Sequence, residues 1–402
     1  MSPMKTVPAA LRADDEQLRA QYIEEVLGLL YPGDGERPVE YLVIPNARKP
    51  RLLVPADDRR VAAAAVRRYA EPQSRLARLK RDAVVAALRT GLSGLLLRDR
   101  LTLSPAEDTI DTYLGRHLGA GLRLSVHIGP ARANRKPVLQ LLDGDGRTLA
   151  FAKLGTSALT RELVRAEAAA LSTVGAAGLT RTRVPDVLHA GQWGEHEVLV
   201  QSALPVWQPR APLTAPRLAG AMLEVARCCG TSHGRLDGSG YWNRLRARLD
   251  AVADHAEGAA LRTAAERIAR AAGDVELHFG SWHGDWSPWN MAAVADAVLV
   301  WDWERFTPGV PIGYDGLHHA LQLGIGRSPS AGQAVNELVA AAPDLLLPFG
   351  VVHRQAVEVT ALLYLIDLAT RYVTDRQAEA GARLGVLGSW LLPVLVARVE
   401  AL

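Results

Sequence analysis

Apolar and polar positions change period several times along the chain. In "ADDEQLRAQYIEEVLGLL", residues 13 to 30, acidic residues come first and apolar ones recur at helical spacing until "YPGDG" stops the pattern. "VEYLVIP" and "RLLVPA" read as short strands, and "DDRRVAAAAVRRYA" and "SRLARLKRDAVVAALRTGL" as helices, the first with an Asp available as cap. "SPAEDTIDTYLGRHL" predicts another helix, with Ser104, Pro105 and Glu107 as its capping signal. The texture then changes. "LRLSVHIG", "PVLQLLD" and "RTLAFAK" predict three strands, the last two joined by "GDG". A helix follows in "SALTRELVRAEAAALSTVG", then strands in "VPDVLHAG" and "HEVLVQSAL". Past the Pro-rich connector "PVWQPRAP" the pattern is mostly helical to the end, with a short hairpin in "WNMAAVADAVLVWDW" as the exception. No internal repeat is visible.

This order predicts an α+β, bilobal chain. Residues 1–117 form an N-terminal mixed α/β extension, 118–204 a small β-rich lobe and 205–402 a larger helical lobe. Two such lobes leave a cleft, where ligands bind. Only "GAG" separates the extension's last helix from the first strand of the small lobe. So short a joint predicts close packing rather than free tethering.

Composition narrows the function. The formal net charge is +3, too small for a molecule built to neutralise a polyanion, so no nucleic-acid partner is expected. From Arg48 to Arg89 there are 12 basic residues against 4 acidic ones. These read as solvated helix faces, with an acidic docking partner as the sharper alternative. The adjacent Cys228 and Cys229 are the only cysteines and suit a reducing cytoplasm. No apolar run has the length of a membrane span, and the N-terminus lacks an apolar signal core, so a cytoplasmic protein without a membrane partner is expected. Nothing bears on oligomeric state. Only five of the 46 basic residues are lysines. Where a generic charge would do the chain uses Arg, which draws attention to its last lysine, Lys153.

The candidate chemistry centres on "SWHGDWSPWN", residues 281–290, which holds three of the nine tryptophans. His283, Asp285 and Asn290 give H-x-D-x-x-x-x-N, the spacing of a kinase catalytic loop, and Asp302 ends the strand "AVLVWD" beyond the hairpin. Phosphoryl transfer requires a positioned hydroxyl, a held triphosphate and neutralised charge. Asp285 is the candidate catalytic residue that takes the acceptor's proton. Asn290 and Asp302 offer hard oxygen ligands for Mg2+ and hence for ATP. Lys153, ending the strand "LAFAK", stands where a phosphate-binding lysine belongs. Glu162 and Glu167, on the next helix, could both fix its ammonium, and Glu167 is preferred because Leu171 shares its face.

"HGDWSPWN", "VLVWDWE" and "GYDGLHH" together resemble the aminoglycoside phosphotransferase family, whose fold is protein kinase-like. The resemblance covers roughly residues 120 to 400. It implies that Asp285 is the catalytic Asp, Asn290 and Asp302 the metal ligands, Lys153 the phosphate lysine and Glu167 its partner. It also implies that Asp315 anchors the loop. The first strand connection, "GPARANRKP", departs from the pattern with a single glycine, so Arg132, Asn134, Arg135 or Lys136 would assist phosphate binding. The tryptophans replace smaller residues; they either pack beneath the loop, or Trp286 or Trp289 lines the acceptor pocket. His283 reads as a structural hydrogen-bonding group, Glu304 as a surface or pocket-rim residue, and His318 and His319 as packing or surface. Cys228 and Cys229 read as inert, and Trp193, Trp207 and Trp242 as core or hinge packing.

The expected activity is ATP- and Mg2+-dependent phosphorylation of a small-molecule hydroxyl on a sugar, an amino alcohol or an antibiotic. Residues 315–402 hold 8 acidic and 6 basic residues, a balance that does not favour a polycationic acceptor. A peptide or protein Ser/Thr kinase is the first alternative, and a non-catalytic nucleotide-binding scaffold the second.

Overall fold

The computed structural model describes residues 21–33, 35–36, 38–69, 75–92, 97–129, 132–380 and 384–402. Part of the helix expected over 13–30 therefore lies outside the described residues; 21–30 are helical (α1). The chain divides into two compact units. The first comprises Met1–Ala131, Arg135–Val164 and Val187–Ala203, and the second Arg132–Asn134, Arg165–Asp186 and Leu204–Leu402.

The first unit is built on one eight-stranded sheet in the order β3-β1-β2-β4-β5-β6-β9-β8, antiparallel throughout. β1 (Val39–Ile44), β2 (Leu52–Pro55) and β3 (Arg100–Leu103) come from the N-terminal stretch. β4 (Arg123–His127), β5 (Val138–Leu142), β6 (Thr148–Gly155), β8 (Val187–Trp193) and β9 (His196–Ser202) continue the same sheet. The two-residue period of the strands feeds two cores. Leu42, Leu52 and Val54 join Val61, Ala65 and Leu88 of helices α2 (Arg59–Tyr69) and α3 (Arg75–Thr90) on one face. Tyr41, Val43 and Leu53 join α1 and helix α4 (Ile110–Leu118) on the other. Continuous apolar strands are expected where helices cover both faces of a sheet.

One local expectation shifts. α4 begins at Ile110, not near Pro105: Thr109 is its N-cap and forms a reciprocal capping box with Thr112. The backbone around Ser104 is engaged instead, since its carbonyl accepts from Gly35 N–H. β3, a stretch for which the sequence pattern raised no expectation, pairs with β1 although it is short and half-polar. At the start of α2, the Asp58 carboxylate accepts the N–H groups of Arg60 and Val61, the expected cap.

The second unit is helical around a core in which helix α11 (Arg354–Thr374) is buried over most of its length. It also carries two three-stranded sheets, β10-β11-β14 and β12-β13-β7. β10 (Ser232–Arg235), β11 (Glu276–Trp282) and β14 (Thr307–Pro311) lie where the sequence pattern was read as helical. Short apolar runs such as "LHFGSW" fit a buried strand and a buried helix equally well by period. The expected hairpin is β12 (Met291–Ala293) with β13 (Val298–Val300). β7 (Thr182–Arg183) pairs parallel to β13. Helix α5 (Ala158–Ala176) contributes its residues up to Val164 to the first unit and those from Arg165 to the second. Among the described residues no single helix is long and apolar enough to cross a membrane.

Candidate active site

β11 delivers its last residue, Trp282, into the loop 283–290 of the second unit. Gly284 has φ +86, and a Cβ there would lie 2.3 Å from the Arg305 carbonyl oxygen, so only glycine fits. Asp315, in the first turn of helix α9 (Tyr314–Arg327), holds the loop from below. Its two carboxylate oxygens accept the N–H groups of His283 (2.8 Å) and Gly284 (3.2 Å). Burial pushes the Asp315 carboxyl up to about 7, against the pull of those two N–H donors. Arg371 of α11 ties the loop from another side, donating to the Gly284 carbonyl at 2.6 Å.

His283 is fully buried and structural. Its Nδ1 accepts from Asp285 N–H at 3.1 Å, so its Nε2–H donates to the Trp301 carbonyl at 3.2 Å. That pattern suits a neutral ring, and burial pushes its pKa down to about 4. Trp303 and Trp286, both fully buried, pack edge-on against it at 4.6 and 5.8 Å. The rings of Trp282, Trp286 and Trp303 therefore enclose the loop, while Trp289 is 53% exposed.

Asp285 gathers three side-chain donors. Its Oδ1 accepts from Ser287 Oγ (2.7 Å) and His318 Nε2 (3.0 Å), and its Oδ2 from Asn290 Nδ2 (3.0 Å). Burial raises its pKa, but hydrogen bonds from His318 and Ser287 and the charge of Arg371 outweigh that and hold it below the usual carboxylate range. The carboxylate is ionised at neutral pH. Because Asn290 spends its amide N–H groups on Asp285, including the Asp285 carbonyl at 2.9 Å, its amide oxygen is left to serve as a ligand.

The hairpin sets the remaining groups. Met291 faces Val300 in its register, and Trp301 N–H donates to the Asn290 carbonyl, so Asn290 and Asp302 flank the same end of the hairpin. Asp302 adopts φ 75, one of two non-glycine residues at positive φ among those described. Such backbone persists where surrounding structure enforces it, and it clusters at functional sites. Carboxylate oxygens of Asp302, Glu167 and Glu304 lie within 4.8 Å of one another, a set of hard oxygen donors that fits a divalent cation. Glu167 accepts Trp303 N–H at 3.2 Å, and Glu304 accepts Asn134 Nδ2 at 3.0 Å.

The sequence-predicted residues Asp285 and Asn290 are thus in direct contact, and Asp302 and Glu167 share one acidic group. Lys153 belongs to the first unit, buried on β6 between Val138 of β5 and Leu199 of β9. Glu167 is fully buried, whereas Glu162 is exposed. Of the strand-connection residues, Asn134 bonds Glu304, and Arg135 stacks its guanidinium 3.6 Å from the Tyr22 ring centroid. Two readings need correcting. Glu304 is buried within the acidic group, not at the surface. His318 is not mere packing, for it bonds the carboxylate of Asp285. A signal for His318 existed: it lies three residues after Asp315 on one helix face, and Asp315 faces the loop. Trp193 and Trp242 are buried, Trp207 is half exposed, and Cys228 and Cys229 are unpaired at the end of helix α6 (Ala215–Arg227).

No family model and no curated protein matches the sequence. Solved structures similar to the chain include choline kinase LicA from Streptococcus pneumoniae, at 14% identity over 73% of this chain and 98% of that one, with a TM-score of 0.48. A thermostable mutant of an aminoglycoside phosphotransferase matches at 15% identity over 73% and 99%, with a TM-score of 0.45. An aminoglycoside phosphotransferase from Streptomyces rimosus matches at 16% identity over 57% and 89%, with a TM-score of 0.38.

Proposed function

We propose that the chain is a phosphotransferase of the aminoglycoside phosphotransferase type, moving the γ-phosphoryl group of ATP, with Mg2+, to a hydroxyl of a small molecule. The single observation that carries this reading is Asp285. It is an ionised carboxylate held by three side-chain donors, on a loop whose Asn290 flanks the same end of the hairpin as Asp302. A carboxylate kept ionised and oriented can accept the proton of an attacking hydroxyl.

The roles follow from chemistry. Asp285 orients the acceptor hydroxyl and takes its proton as the oxygen attacks. Asn290, through its amide oxygen, and Asp302 would hold Mg2+, with Glu167 and Glu304 adding negative charge beside Asp302. Mg2+, when bound, supplies neutralisation of the phosphate charge. Lys153 adds a cation for the phosphates. The reducing cytoplasm, where Cys228 and Cys229 stay unpaired, is the proposed setting. The acceptor is a sugar or amino alcohol rather than a polycationic drug, given the nearly balanced charge of residues 315–402.

Replacing Asp285 by Asn tests the assignment. With ATP and a panel of sugars, amino alcohols and Ser/Thr peptides, the wild-type chain transfers phosphate to a small alcohol. The variant loses about 10²–10⁴ in rate while nucleotide affinity stays nearly unchanged. Near-normal turnover by Asp285→Asn would sink the reading, and ATP binding without turnover on any acceptor would favour a nucleotide-binding scaffold.

A further inference from the structure

Resting on that reading of Asp285, we infer that His318 is a positioning residue that fixes the carboxylate so that Oδ2, not Oδ1, takes the acceptor's proton.

The argument starts from lone pairs. Each carboxylate oxygen can accept about two hydrogen bonds. Oδ1 already has two donors, His318 Nε2 at 3.0 Å and Ser287 Oγ at 2.7 Å. Oδ2 has one, Asn290 Nδ2 at 3.0 Å, so one acceptor position remains on that oxygen. The Asp285 side chain is 32% exposed, so an incoming hydroxyl can reach it, whereas His318 is 1% exposed and cannot itself receive solvent or substrate.

The histidine's own geometry fixes which nitrogen donates. An ionised carboxylate has no proton to give, so Nε2 must carry one. Nδ1 then presents a lone pair, and it lies 3.1 Å from the hydroxyl of Tyr364, which donates to it. Burial keeps the His318 ring neutral and Tyr364 protonated, in agreement with that direction. Trp282 packs edge-on against both rings, at 6.4 Å from each, and Tyr314 packs on Tyr364 at 5.6 Å. The series Tyr364–His318–Asp285 thus runs from the core to the reacting group with each ring locked in place. Helix α9 supplies both Asp315, which holds the loop backbone, and His318, which holds the loop's carboxylate.

In the reaction, the acceptor oxygen forms its bond to the γ-phosphorus as the bond from that phosphorus to the bridging oxygen breaks, and ADP leaves with the bonding pair. The hydroxyl proton passes to Asp285 Oδ2 and then to solvent. His318 exchanges no proton; it keeps Oδ1 occupied and the carboxylate plane fixed.

The test compares His318→Gln, whose amide nitrogen can occupy the place of Nε2, with His318→Leu, which removes the donor. His318→Leu is expected to lower kcat about 10–100-fold, the range seen when a supporting hydrogen bond to a reacting group is lost, with ATP affinity unchanged. His318→Gln is expected to recover most of that loss. Equal activity in His318→Leu and wild type overturns the inference, as does a Gln variant as impaired as the Leu variant. Should His318→Leu not fold, His318→Asn replaces it, because its amide reaches only the Nδ1 position and the same loss is expected. A second readout needs no turnover. Nitrogen-15 shifts of labelled histidine should show a neutral Nε2–H tautomer for His318, retained in Tyr364→Phe because the Asp285 carboxylate alone requires it. A neutral Nδ1–H ring or a charged ring in the wild type would overturn the positioning role even if Asp285→Asn confirms the catalytic one. Loss of activity in neither Asp285→Asn nor His318→Leu would instead reject the reading of Asp285 itself.

Discussion

At the residue scale, the site separates groups with different chemistry at close range, and each can be addressed alone. Asp302, the proposed charged ligand, sits in a backbone conformation that disfavours side chains. Asp302→Ala should remove the Mg2+ dependence of ATP binding, read by titrating ATP with and without the metal. Unchanged Mg2+ dependence would count against Asp302 as a ligand. His283 gives a pH prediction. Its folded pKa, about 4, lies below the unfolded value near 6.5, so its stabilising contribution is present above pH 6.5. As pH falls from 6.5 to 4 the unfolded state takes up the proton first, and stability falls by up to about 1.4 kcal/mol per pH unit. Asp315, raised to about 7, opposes this, because its folded form binds a proton first between pH 7 and 4. The difference between wild type and His283→Gln isolates the histidine: the variant should lose stability on acidification less steeply, by denaturant unfolding at each pH. Parallel profiles would refute it. The closeness of Asp285 to Asn290 and to the hairpin that carries Asp302 was legible in the sequence because such a loop has fixed spacing. His318 and Glu304 were not, because their roles depend on which helix face and which hairpin edge meet the loop. A single histidine reads as packing until its partner is known.

At the element scale, the strands of the first unit were legible where apolar runs were bounded by turn residues, as in β4, β5, β6, β8 and β9. β10, β11 and β14 were not, since a short buried run carries no period that separates strand from helix. The start of α4 shows how local chemistry decides a boundary. Ser104 and Glu107 make a plausible capping signal, but Thr109 and Thr112 satisfy the helix's free N–H groups instead. Thr109→Ala is therefore expected to cost about 1 kcal/mol of stability, while Ser104→Ala, at an exposed residue whose backbone alone is engaged, should cost close to nothing. Midpoints of chemical denaturation for the two variants check this, and an equal cost would show that Thr109 does not cap.

At the scale of the whole molecule, the question is what the first hundred residues do for the first unit. Composition changes texture near residue 117, yet the sheet has no break there: Leu52 and Leu53 of β2 pair with His127 and Val126 of β4. Long-range pairing of this kind leaves no trace in local pattern, which is why it could be expected only from the short "GAG" joint. The sheet draws its two helical coverings from the same stretch, α2 and α3 on one face and α1 on the other. Deleting residues 1–100 would leave the outer edge of β4 unpaired, strip one face of its helices and leave only α4 on the other. Tyr41, Leu42, Val43, Leu52, Leu53 and Val54 are all buried, and burying such side chains is worth roughly 1.5–3 kcal/mol each. The truncated first unit is therefore expected not to fold cooperatively, rather than to melt a few degrees lower. Differential scanning calorimetry of the full and truncated chains tests it, with hydrogen exchange across the β5–β6–β9 strands that hold Lys153. Retention of the wild-type transition and of slow exchange in those strands would show that the N-terminal stretch is a passenger on a sheet already complete without it.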